Sequence, residues 1–280
     1  MKKKGETIRH ILALSGGKDS AALAVYLRDK IPDLEYVFLD TGHELPETYE
    51  YLNRIQAMLG IEIKKPPESG RDFDFYLAIY KGCLPSPQNR WCTKQLKIIP
   101  YEKYIGQDRA ISYIALRADE DRTGYISHKP NLIPMYPFIE DGINKADVIN
   151  ILKESGLGLP AYYSWRSRSG CYFCFFQRRH EWIGLYDHHP ELFERALQYE
   201  SKHSDGRTYT WIQGEPLKNL LARRDSVLAD AGSKLNKSLN NKLFDRLQQL
   251  KFSVGEGSVL RGTSVSGELE ANKPCLICTL

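Results

Sequence analysis

The sequence predicts an α/β fold: a mostly parallel, doubly wound, Rossmann-like sheet followed by a helical C-terminal part. Three observations predict it. A short apolar run feeds a glycine turn and then a helical pattern, a second apolar run and a second helical pattern follow directly, and 3.6-residue spacing dominates the second half.

Residues 10–14 (HILAL) form the first buried-strand run, and from Asp19 onward Ala21, Ala22, Leu23, Val25, Tyr26 and Leu27 fall at helical spacing. Residues 36–40 (YVFLD) read as a second strand. Residues 46–59 read as a helix opened by Pro46 and Glu47 and followed by Gly60, since a proline loses nothing at the first helical position and glycine closes a helix readily. Residues 61–63 and 110–116 supply a third and a fourth strand. Between them, 64–100 is rich in Pro, Gly and polar residues, carries Cys83 and Cys92, and reads as a long excursion from the sheet edge. Residues 146–155 predict a short helix stopped by Gly156. Residues 181–200 place Trp182, Leu185, Leu192, Phe193 and Leu197 on helices around a break at Pro190. The helical pattern continues over 217–250, and the Gly/Ser-rich stretch 253–271 is expected to be mobile. The expected division is a nucleotide-binding domain with a cysteine-bearing insertion over 1–175 and a helical region with a flexible tail over 176–280.

Composition narrows the function classes. In 280 residues, 42% are apolar and 26% charged, as in ordinary globular chains, and no apolar run reaches the roughly 18 residues a membrane helix needs. The basic start at Met1 is followed by an apolar stretch too short for a signal peptide, so the expected location is the cytoplasm, with no membrane partner. Six cysteines in such a chain argue against a disulfide framework. A net charge of +4 does not establish a nucleic-acid partner; the pairs Arg166/Arg168, Arg178/Arg179 and Arg223/Arg224 read as solvated surface unless they share a face. His43, His180, His188 and His189 lack metal-set spacing, and Phe173, Phe175, Phe176 and Trp182 read first as core packing.

The loop Ser15-Gly16-Gly17-Lys18-Asp19-Ser20 carries the chemistry. A strand, a glycine turn and a helix start bring backbone N–H groups and the positive end of the helix dipole to one point, which favours phosphate. Gly16 and Gly17 allow close approach, Lys18 supplies charge, Ser15 and Ser20 donate hydrogen bonds, and Asp19 orients Lys18 or helps to hold Mg²⁺. The spacing differs from the Walker loop. Gly170-Cys171-Tyr172-Phe173-Cys174 is a CxxC turn that with Cys83 and Cys92 makes four thiols, the number that holds a 4Fe–4S cluster or a tetrahedral Zn²⁺.

S-G-G-K-D-S after a strand resembles the signature of the PP-loop ATP pyrophosphatases, the adenine nucleotide α-hydrolase-like group. Residues 40–48 (DTGHELPET) resemble the D-T-G-x-E-x-P-E-T segment of its PAPS reductase branch. Residues 90–97 (RWCTKQLK) resemble C-T-x-x-L-K, and 116–122 (LRADEDR) resemble G-x-R-A-D-E-S-x-R, with Leu116 where the family usually has glycine. The resemblance implies a HUP-type sheet, ATP with Mg²⁺, Lys18, Asp19 and Arg117 at the reacting phosphate, and Asp40 and Thr41 near adenine or ribose. It also implies Glu44, Lys94, Asp119 and Arg122 toward the substrate, and Cys83, Cys92, Cys171 and Cys174 around a 4Fe–4S cluster. Nearest in kind are the DndC/SspD-type proteins of DNA phosphorothioation, which implies DNA as acceptor, a cysteine desulfurase as sulfur donor and further modification proteins as partners. The competing expectations are a PAPS or adenylyl-sulfate reductase and a tRNA-thiolating enzyme. The intact loop and the lack of an E-C-G-[IL]-H segment weigh against the reductase. Cys275 and Cys278 form a second CxxC, readable as a thiol relay or as an inert tail.

Overall fold

The computed structural model describes residues 8–66, 71–121, 124, 129–200 and 207–233. Five strands form one sheet in the order β3-β2-β1-β4-β5, every pair parallel. They are β1 (Arg9–Leu14), β2 (Leu34–Phe38), β3 (Ile63–Lys64), β4 (Ala110–Tyr113) and β5 (Leu132–Met135). Strand alternation explains the two cores. Leu12, Leu14, Tyr36 and Phe38 point to one face and pack against α1 (Lys18–Leu27), α2 (Pro46–Leu59) and α7 (Lys145–Glu154). Ile11, Ala13 and Val37 point to the other and meet Tyr101 and Ile105 of α5 (Ile99–Ile105). Both faces are covered, as an all-parallel sheet requires.

The order of the strands fixes where a ligand sits. The chain steps outward from β1 to β3, then returns to the other side of β1 for β4 and β5. Strand order therefore reverses between β1 and β4, and the crevice beyond their carboxyl ends is the binding position of doubly wound sheets.

The first half matches the expectation closely. The helix over 46–59 has those bounds, with Gly60 in the left-handed conformation (φ 62°) at its end. Strand limits differ: β2 and β4 stop at Phe38 and Tyr113, and β3 starts at Ile63 instead of 61. β5 was not foreseen because Pro134 interrupts it; as an edge strand bonded only to β4, it tolerates the missing donor. The excursion over 64–100 is more ordered than its composition suggests. It holds α3 (Phe73–Ile79), capped by Asp72 Oδ1 accepting the Phe75 N–H at 2.8 Å, and α4 (Trp91–Thr93), joined to α5 by a π-helical turn (Lys94–Ile98). Pro100 hid that run, yet the wider turn ahead of it accommodates the ring.

In the second half, α6 (Pro137–Glu140) and α7 precede a 3₁₀ turn (Ala161–Ser164). The helix expected over 181–200 is two, α8 (Arg179–His188) and α9 (Pro190–Gln198), broken at Pro190 as anticipated. α10 (Leu217–Ala222) breaks at Arg223, and the remainder of the expected 217–250 helix beyond residue 233 lies outside the described residues, as does the 253–271 tail. An aromatic core of Phe73, Trp91, Phe173, Trp182, Phe193 and Trp211 joins the excursion, the CxxC turn and these helices. Among the described residues, no helix is long and apolar enough to cross a membrane.

Candidate active site

The loop between β1 and α1 is held by its own serines and by a second segment. Gly16 adopts φ +68°, and a Cβ there would lie 2.5 Å from Thr48 Cγ2; a Cβ on Gly17 would lie 2.6 Å from Ser169 Oγ. A Cβ at either position would force the neighbouring side chain to shift. Ser20 Oγ donates to the Gly17 carbonyl at 3.1 Å and accepts the Ser15 N–H at 3.2 Å. From the 3₁₀ turn, the Tyr162 hydroxyl donates to the Gly16 carbonyl at 2.7 Å, and the Lys18 N–H donates to the Tyr163 hydroxyl at 3.3 Å. Gly17 is the N-cap of α1 and offers no side-chain cap, which leaves the helix start suited to an anion.

The charged residues converge across the switch point. Lys18 Nζ lies 2.6 Å from Asp19 Oδ2, and Arg117, just past β4, places Nη1 2.8 Å from Asp19 Oδ1. The same guanidinium bonds Asp119 and Glu120, each at 2.8 Å. Burial works against the Arg117 charge, but Asp19, Glu120 and Asp119 outweigh it and raise the pKa further. These residues open onto a cleft of about 960 Å³ whose basic lining is Lys18, Arg117, Lys145, Arg166, Arg168 and Arg178.

Asp40 and Thr41 do not line this cleft. Asp40 accepts the Gly42 N–H at 2.9 Å, the Tyr49 hydroxyl at 2.8 Å and Lys65 Nζ at 2.7 Å. Burial raises its pKa, and those three contacts outweigh it, so the carboxyl sits below its ordinary value. Thr41 donates to Glu44 Oε1 at 2.9 Å and lies 3.2 Å from Cys171 Sγ. Glu44 is buried, burial raises its pKa, and its Oε2 has no hydrogen-bond partner. Thr41 and Glu44 thus stand at the cysteines. Lys94 is exposed on the π turn and lines neither this cleft nor the cysteine cavity, Asp119 braces Arg117, and Arg122 lies outside the described residues.

Cys92, Cys171 and Cys174 line one small cavity with Phe73, Phe173 and Phe176 around it. Cys83 is not in that lining: its thiol points to the Leu84 carbonyl at 3.8 Å, while its own carbonyl accepts the Trp91 indole N–H at 2.9 Å. Burial beside Glu44 pushes the Cys171 thiol pKa well up. Among the described residues, no group of three or more His, Cys, Asp and Glu side chains converges as a metal's ligands do. The four thiols expected as one set are therefore brought to one region and not to one point, because Cys83 is tied into the loop ahead of α4. Three soft donors in an apolar, aromatic shell do fit the chemistry of an iron–sulfur or zinc group. Cys275 and Cys278 lie outside the described residues.

Sequence reasoning missed the wall opposite the loop. Tyr162, Tyr163 and Ser169 hold the loop, and Arg166, read as solvated surface, is 2% exposed. The only available signal was the alternation of Arg and Ser directly before the CxxC turn.

The all-parallel sheet thus carries the glycine-serine loop of residues 15–20 at its switch point, faced by Lys18, Asp19 and Arg117. Residues 9–127 match the phosphoadenosine phosphosulfate reductase domain family. It is 26% identical over 221 residues to an uncharacterized protein of Methanocaldococcus jannaschii, covering 72% of this chain and 44% of that one. The chain thus spans less than half the length of that relative. Two solved structures are similar. The phosphoadenylyl-sulfate (PAPS) reductase from Candida auris in a phosphate complex has TM-score 0.45 and 14% identity, covering 59% of this chain and 82% of that one. The U34-tRNA thiolase NcsA from Methanococcus maripaludis with its [4Fe-4S] cluster has TM-score 0.39 and 17% identity, covering 70% and 71%.

Proposed function

We propose that this chain is an ATP pyrophosphatase that adenylates an acceptor for sulfur incorporation, with the DNA backbone as acceptor in a phosphorothioation system. The observation that carries the reading is the complete loop of residues 15–20 at the switch point, with Lys18, Asp19 and Arg117 joined in one ion-pair chain at its mouth.

Cleavage between the α and β phosphates requires positioning and neutralisation of a departing pyrophosphate more than a protein acid or base. The loop amides and Lys18 take the phosphates, Arg117 adds a second fixed positive charge, and Asp19 keeps both cations oriented. An acceptor oxygen attacks the α phosphorus, pyrophosphate leaves, and a sulfur donor then displaces AMP from the adenylated acceptor. Mg²⁺ on Asp19 and the ATP phosphates would supply further charge neutralisation. Cys92, Cys171 and Cys174, joined by Cys83 once its thiol leaves the Leu84 carbonyl, would hold a 4Fe–4S cluster, with Zn²⁺ as the alternative for the same thiols; a cluster would supply a site for sulfur or electrons. A cysteine desulfurase is the expected sulfur source, and the cytoplasm the expected location.

The PAPS reductase domain match favours one second reading, binding of a nucleotide sulfate and its reduction to sulfite. Anaerobic incubation of the protein with Mg-ATP, cysteine, a cysteine desulfurase and duplex DNA separates the two. Phosphorothioate linkages in a nuclease digest, dependent on ATP, support the proposal. Sulfite release from a nucleotide sulfate, with DNA unmodified, moves the chain to the reductase reading.

A further inference from the structure

Arg166 is buried in the wall of the cleft and two of its nitrogens are idle. Its Nη2 donates to the Cys171 carbonyl at 2.8 Å, while Nε and Nη1 are shut from solvent with no hydrogen-bond partner. A buried guanidinium left this way is costly, and the group that best satisfies its unbonded N–H donors is an anion such as a phosphate. The carboxylates of the cleft are already engaged. Glu181 accepts the Ser167 N–H at 2.7 Å and the Arg178 N–H at 2.8 Å, Asp187 pairs with Arg224, and Asp19 and Glu120 pair with Arg117. The segment that carries Arg166 also touches the phosphate loop, through Ser169 Oγ at 3.3 Å from Ser15 Oγ.

Aromatic groups stand beside these cations. Arg168 lies 5.0 Å from the Phe176 ring centroid and Arg90 5.3 Å from the same ring. Trp165, also in the cleft, stacks on His188 with centroids 5.2 Å apart. Cations interleaved with flat rings are the surface on which a nucleic-acid strand is held, phosphates on the arginines and bases on the rings.

We propose that Arg166, with Arg168 and Arg178 at the rim, forms a second anion subsite, distinct from the loop of residues 15–20, that takes a backbone phosphate of the acceptor strand. This rests on the adenylation reading above and names where its acceptor lies: in the same cleft as the nucleotide phosphates, on the opposite wall.

The test uses the full chain and three fluorescein-labelled single strands of one sequence, with DNA, RNA and uncharged phosphorodiamidate backbones, read by anisotropy over a salt series. A fluorescent adenine nucleotide is titrated in parallel. The charged strands should bind about tenfold or more tightly than the neutral one, with Arg168→Gln and Arg166→Lys each costing about tenfold. Nucleotide affinity should stay within about twofold in both, and Arg178→Gln should lower the salt slope by about 1. Tighter binding of DNA or of RNA supports the subsite and names the acceptor's sugar. Equal binding of the neutral strand overturns the inference, as do variants that keep both strand and nucleotide affinity. Arg168→Gln, whose side chain is only partly buried, carries the test if Arg166→Lys fails to fold. Strand binding without AMP release rejects only the adenylation reading, and AMP release without strand binding rejects only the subsite.

Discussion

Arg117 Nη1 and Asp19 Oδ1, 98 residues apart in sequence, meet at 2.8 Å across the switch point of the sheet. That bond ties the end of β4 to the phosphate loop and, through Asp19, to Lys18. Asp19→Ala should therefore disturb two cations at once. The expected outcome is a fall of about 10²-fold or more in kcat for ATP cleavage with a smaller change in nucleotide affinity, measured by steady-state kinetics beside equilibrium titration.

Gly17→Ala tests the packing of the loop against the opposite wall. Its backbone is extended (φ −94°), so strain does not arise from conformation; the cost comes from a Cβ 2.6 Å from Ser169 Oγ. The variant should lose about 1–3 kcal/mol in denaturant unfolding, with weakened nucleotide binding. Gly17→Ala combined with Ser169→Gly should recover part of that loss.

Removing one hydroxyl tests the support beneath the loop. Tyr162 is buried and its hydroxyl donates to the Gly16 carbonyl. Tyr162→Phe should cost about 1 kcal/mol of stability, read by urea unfolding, because a buried carbonyl loses its donor.

The β1–β2 pair gives a pH signature away from the site. Arg9 pairs with Glu35 at 2.7 Å, and this hydrogen bond, with Tyr104 and Lys64, outweighs burial and holds the Glu35 carboxyl at about 2, below its ordinary 4.5. A depressed carboxylate stabilises the fold fully above pH 4.5 and loses that contribution as pH falls toward 2. Wild type should exceed Glu35→Gln by roughly 1–2 kcal/mol at neutral pH, allowing for solvent screening, with the gap closing in acid.

The cysteine cavity makes a separate prediction. Anaerobic reconstitution with iron and sulfide should give a brown protein with visible charge-transfer absorbance, lost in Cys171→Ser and Cys174→Ser. Colourless protein that retains zinc would assign the thiols to a tetrahedral site instead.

What the sequence made legible follows from locality. The loop of residues 15–20 and the helix ended by Gly60 are set by neighbours in the chain, so spacing alone reveals them. β5 was hidden by Pro134, whose lost donor matters only if the strand is central. Arg166 was hidden because burial is decided by distant partners: a charged residue in a run of Arg and Ser reads as surface, yet its side chain is 2% exposed. By resemblance Thr41 was expected near the nucleoside and Glu44 toward the substrate; the turn after β2 carries both to Cys171.

Adenylation at the loop of residues 15–20 is tested by anaerobic incubation of the protein with Mg-ATP labelled at the α phosphate, with products resolved by chromatography for wild type and Lys18→Ala. The expected products are labelled AMP with equimolar pyrophosphate, abolished in Lys18→Ala and raised by an acceptor strand. Labelled ADP with inorganic phosphate, or AMP release unchanged in Lys18→Ala, would contradict it.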